Sequence, residues 1–163
     1  MTSMQPGQWH DLYVAVTGAS AALTGLIFVA VSLNLDKILG YPGLPRRAVE
    51  TLWVMTEVLV ISVFVLVPGQ SRQALGVELL AISVLGTVLI VQRLRMPRKK
   101  DDPIIWTALP LTAVVATTLP LYAAGISLLA GGGGGLYWLV GEIVFAIIGV
   151  ITNAWVLLVE IAR

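Results

Sequence analysis

The sequence predicts an all-α fold, a helical integral membrane protein with five transmembrane helices, its N-terminus outside and its C-terminus in the cytoplasm. Three observations carry this expectation. Hydrophobic residues make up 58% of the 163 and charged residues only 12%, against roughly 25% charged in a domain whose surface faces water. The apolar residues come in runs long enough to cross ~30 Å of hydrocarbon at about 1.5 Å per residue. Nine of the ten basic residues then fall on one side of the bilayer, which the positive-inside rule makes the cytoplasm.

The spans are expected at 12–35, 48–67, 71–94, 104–130 and 136–162, leaving too little chain for a soluble domain. The first run is too long for a signal-peptide core, and no Lys or Arg precedes it, so the N-terminus is expected to remain. Tyr41-Pro42-Gly43-Leu44-Pro45 separates the first two spans, and Pro68-Gly69 turns the chain between the second and third. Charge and proline between Met96 and Pro103 end the third. Pro110 and Pro120 are each expected to kink or break the fourth, because proline removes a backbone donor. Pro120 would also free the carbonyl of Ala116 beside Thr117 and Thr118. The five-glycine run Gly131 to Gly135 reads as a flexible turn, since a nucleotide-binding loop would need a Lys and a following Ser or Thr.

Lys37, Arg46, Arg47, Arg93, Arg95, Arg98, Lys99, Lys100 and Arg163 share the cytoplasmic side, and Arg72 alone lies opposite. The Arg98-Lys99-Lys100 cluster reads as a topology determinant against anionic lipid headgroups at that face rather than a nucleic-acid site. Trp9, Tyr13, Tyr122, Tyr137 and Trp138 are expected in the outer aromatic belt, and Tyr41, Trp53 and Trp106 in the inner one.

Ionisable groups within the spans are the informative residues, because each must offset a desolvation cost. Glu57 is expected at mid-membrane, with Glu78 and Glu142 both some 10 Å below the outer surface by helix rise. No Lys or Arg shares their depth, although Arg72 is near enough to reach toward Glu78. A carboxylate so placed has three outlets: protonation, a bound cation or a hydrated cavity. Glu50 and Glu160 sit near the cytoplasmic ends, within helical reach of Arg46 and Arg163, and read as interfacial ion pairs.

Helical spacing adds two stripes. On the last span Glu142, Ala146, Gly149, Asn153, Val156 and Glu160 recur at intervals of four and three. On the first, Thr17, Ser20 and Thr24 form a line flanked by Gly18 and Gly25. Small and hydroxylated residues let membrane helices approach closely, so Gly18, Gly25 and Gly149 are expected packing positions. The sharper reading is a polar conduit. Glu78, Glu142, Thr17, Ser20, Thr117 and the Ala116 carbonyl would suit a small cation if the helices brought them together.

The stretches VTGASAALTGLIFVAVSLNL, VPGQSRQALGVELL and NAWVLLVEI resemble a family of small, functionally uncharacterised bacterial membrane proteins, some of which are labelled modulators of the membrane protease FtsH. The resemblance spans most of the chain and brings no catalytic or binding motif. It implies a multi-pass protein of the bacterial inner membrane.

An enzyme is not expected, nor any cofactor or metal site: there is no cysteine, the one histidine, His10, lies at an outer boundary, and no nucleophile motif is present. Two functions compete. One is a homo-oligomeric channel or small transporter for protons or monovalent cations. The other is a non-catalytic accessory or regulatory subunit that works by helix packing on a larger membrane complex.

Overall fold

The computed structural model describes residues 6–40, 43–95, 105–131 and 134–155. They form six helices: α1 (Pro6–Leu33), α2 (Leu35–Gly40), α3 (Leu44–Leu66), α4 (Arg72–Leu94), α5 (Ile105–Leu129) and α6 (Gly135–Trp155). The Arg98-Lys99-Lys100 cluster, Val156, Glu160 and Arg163 lie outside the described residues.

Local chemistry sets the helix ends. Pro6 opens α1 at a position where its missing N–H costs nothing, so the helix starts well before the expected span. Asn34 ends it: its side-chain amide donates to the Ala30 carbonyl at 3.0 Å, and its backbone N–H reaches Val31 at 3.3 Å. A side chain that satisfies nearby backbone groups competes with the helix ladder. The chain restarts as α2, a turn of helix where a loop was expected, and buries Ile38 against Leu44 and Ala48 of α3.

Gly43, at φ 94°, caps α3 in a left-handed conformation that a side chain would strain. Ser71 caps α4, accepting the Ala74 N–H at 3.1 Å.

Pro110 and Pro120 do not break α5, which is continuous from Ile105 to Leu129. The hydroxyls of Thr117 and Thr118 both donate to the Val114 carbonyl, at 3.0 and 2.8 Å.

Packing centres on α3, which touches each of the other helices; the most extensive pairings are α4 with α5, α5 with α6 and α1 with α3. The α4–α5 crossing is made by glycines. A Cβ on Gly76 would lie 3.2 Å from the Gly125 carbonyl oxygen, and one on Gly125 would lie 3.1 Å from the Gly76 carbonyl oxygen. Small residues thus bring the two backbones together. A bond of 3.0 Å between the Thr87 and Tyr122 hydroxyls ties the same pair.

Four segments are long and apolar enough to cross a membrane: Trp9–Leu33, Leu44–Leu66, Arg72–Gln92 and Gly135–Trp155. In α5 the described apolar stretch, Val114–Leu129, is shorter. Leu26, Phe28, Leu33, Val49, Ile148 and Ile151 face outward, an apolar exterior suited to lipid. The chain therefore has the build of a multi-pass membrane protein.

Candidate functional site

Two glutamates converge inside the bundle. On α3, Glu50, Val54, Glu57 and Ile61 recur at helical spacing and are all buried. On α6, Leu139, Glu142, Ala146 and Asn153 are buried in the same way. The described part of the polar α6 stripe therefore turns inward, toward α3 and α5. Glu57 retains 4% of its surface and Glu142 none. Glu142 lies within Coulombic range of Glu57 and also of Tyr13 on α1.

Gly86 of α4 makes room for this centre. A Cβ there would lie 2.9 Å from Thr118 Oγ1 and 3.8 Å from Glu57 Oε1. Glu57 thus sits where α3 meets the α4–α5 crossing, and Glu142 lies toward Tyr13 of α1.

The two glutamates and Tyr13 have unbonded polar atoms. Both oxygens of Glu57, both of Glu142 and the Tyr13 hydroxyl are buried without a hydrogen bond. Their buried neighbours along the helices, Val54, Val58, Ile61, Leu139 and Ile143, are apolar. A buried polar group left unbonded costs about 1–3 kcal/mol, and an unpaired charge costs more. A site of this kind stores an unmet demand for a proton or a cation.

The other singled-out residues are placed differently. Glu78 is half-buried and accepts a bond from the Gln70 amide, which leaves its carboxylate apart from Glu57 and Glu142. Thr17 and Ser20 donate to their own helix, to the Tyr13 and Val16 carbonyls, both at 2.7 Å. Ser20 also borders a 40 Å³ cavity with Met55, Val58 and Ile147. Thr117 and Asn153 share a crevice of about 10 Å³ with Glu50, Thr51, Ala146 and Gly149. Gly18 and Gly25 are exposed, with no atom within 4 Å of a Cβ built on either, so they pack against nothing among the described residues. Arg46 pairs with Glu50 at 2.9 Å, as helical reach predicts.

Sequence reasoning missed Tyr13 as a member of the centre. Its depth fits an aromatic belt, but its ring is fully buried rather than facing lipid. The signal was available: Trp9 and Tyr13 are one turn apart, and Ser20 continues their face two turns on. Gly76, Gly86 and Gly125 were also missed, because glycine is common in membrane helices and its contacts depend on which face turns inward.

No family model, curated protein or solved structure matches the chain. The chemistry of the buried side chains is what speaks to function.

Proposed function

We propose that this protein is a small membrane transporter or conduit for protons, with Glu57 and Glu142 as the binding pair. The observation that carries the reading is the set of four buried carboxylate oxygens without a hydrogen-bond partner. A proton suits the pair better than a monovalent cation, because a cation must replace its hydration shell with oxygens and the side chains flanking the carboxylates on α3 and α6, Val54, Val58, Ile61, Leu139 and Ile143, are apolar. The pair is internal to one protomer, which favours a path through the bundle over a pore between copies.

Five spans with the N-terminus outside complete the proposal, in a bacterial inner membrane. The one-sided distribution of Lys and Arg supports that topology. With residues 105–113 included, α5 has 25 residues, about 37 Å of helix. A cysteine in the glycine turn near Gly131 is expected to label from outside, and one at Arg98 only after permeabilisation. The opposite pattern would invert the topology.

The test of function is flux. Purified protein in liposomes is expected to dissipate an imposed pH gradient, and Glu142→Gln, which keeps shape without charge, to abolish the effect. Leak equal to that of empty vesicles would remove the transport reading, and flux of Na⁺ or K⁺ without H⁺ would change the ion.

A second reading, an accessory subunit on a larger membrane complex, draws on α1. Its Gly18 and Gly25 face is open and available to another helix, from a second copy or from a partner. A subunit of that kind passes no ions, and Glu142→Gln would be silent in it.

A further inference from the structure

At the end of the bundle bearing the α3–α4 turn, a groove of about 440 Å³ opens where α1, α3, α4 and α6 meet. That volume is within the range of ligand pockets. Its lining changes character with depth. His10, Ser71 and Arg72 line it and are exposed, whereas Leu75 and Leu136 line it and are buried. Leu75 lies one turn past Arg72 on α4, about 4.5 Å further into the bundle. Trp9 also lines the groove and meets Tyr137 edge-on at 4.8 Å, and the rings of Tyr137 and Trp138 are exposed at the same end. Aromatics so placed mark the headgroup level of a bilayer. The groove therefore opens among headgroups, and its apolar floor lies toward the acyl chains.

Its charge is one-sided. Arg72 makes no ion pair among the described residues, and no Asp or Glu among them lines the groove. Asp11 is exposed on α1 outside the lining, and Glu78 is engaged by the Gln70 amide. Ser71 accepts the Ala74 N–H at 3.1 Å and keeps its own O–H to donate. Lys37, Arg46, Arg47 and Arg95 belong to the opposite end of the bundle, where topology alone accounts for basic residues. It does not account for Arg72.

We propose that this groove binds an anionic phospholipid, with the phosphate on Arg72 and the start of an acyl chain over Leu75 and Leu136. A guanidinium is well matched to phosphate oxygens, and basic pockets between membrane helices take anionic headgroups in this way. A zwitterionic head would bring an ammonium group into a groove with no carboxylate to meet it. Inorganic phosphate would leave the apolar floor bare. The site is separate from Glu57 and Glu142 and stands whether or not that pair carries protons.

The test reads protection of the groove by lipid. The chain has no cysteine, so Val67→Cys gives a single thiol in the groove lining, and Trp138→Cys gives one at the same end outside it. A neutral maleimide is expected to label Val67→Cys about tenfold more slowly in vesicles containing phosphatidylglycerol than in phosphatidylcholine alone, the equivalent of one charge-assisted hydrogen bond. Trp138→Cys should label equally in both. Adding Arg72→Gln to Val67→Cys should remove the difference. Equal labelling of Val67→Cys in the two lipids overturns the proposal, as does equal slowing of Trp138→Cys, which would be an effect of the whole surface. Protection that survives Arg72→Gln overturns the phosphate contact. Protection by inorganic phosphate in phosphatidylcholine vesicles overturns the lipid in favour of a free anion.

Discussion

Glu78 and Glu142 stand at nearly the same distance from the starts of their helices, six residues after Arg72 and seven after Gly135, yet they meet opposite fates. Glu78 is half-buried and takes an amide bond from Gln70 beside the α3–α4 turn. Glu142 is sealed in the bundle, with both oxygens unbonded and Glu57 in Coulombic range. Depth in the membrane does not decide what a carboxylate does; the direction in which its helix turns it does. Glu78 behaves as a structural acid at an edge. Glu142 has the features of a group kept at a cost for its chemistry.

The largest expected difference between them is in transport. Glu57→Gln and Glu142→Gln should each remove proton flux from liposomes, whereas Glu78→Gln should retain it within a few-fold. Equal loss in all three would mean that the edge carboxylate belongs to the path.

A second contrast sets glycines that meet helices against those that meet nothing. Gly125→Leu should destabilise the bundle by about 1–3 kcal/mol or more, because the added side chain must enter a closed helix crossing. Gly18→Leu faces open space and should change protomer stability by less than about 0.5 kcal/mol. Unfolding in mixed micelles reads both. A loss of oligomer in Gly18→Leu without loss of protomer stability would identify that face as an assembly contact.

Stability should then separate the two glutamates by sign. Glu142→Met replaces an unbonded polar group with an apolar side chain of similar volume and should stabilise by about 1–3 kcal/mol while transport is lost. Glu78→Met removes the Gln70 bond and should destabilise by about 0.6–1.7 kcal/mol. The smallest effect is expected for Gln70→Leu, about 0.6 kcal/mol, with transport retained. A destabilised Glu142→Met would show that its carboxyl has a bonding partner after all.

Much of this architecture was legible before the structure. Of the five expected spans, four are membrane-length apolar helices, Pro68-Gly69 marked a real turn, and α5 ends and α6 begins at the edges of the glycine run. The inward stripe from Glu142 through Ala146 to Asn153 was also readable, because small and polar residues interrupt an otherwise apolar helix. What stayed hidden is rotation. A lipid-facing side is as apolar as a packed one, so no amphipathic contrast reveals which face of α1 or α4 turns inward. Tyr13 therefore read as an interfacial aromatic, and Gly76 and Gly86 carried no signal until α5 was packed against them. Pro120 was expected to kink or break its helix, and it does not break it: α5 runs on to Leu129, because membrane helices tolerate proline where their surroundings re-satisfy the freed backbone group.

The central claim, that Glu57 and Glu142 together hold a proton inside the bundle, is tested most directly by infrared spectroscopy of the purified protein in lipid at neutral pH. The parent should show a neutral-carboxyl band that is lost or shifted in Glu57→Gln and in Glu142→Gln and unchanged in Glu78→Gln. A spectrum with no such band, or one in which only Glu78→Gln removes it, would contradict the account.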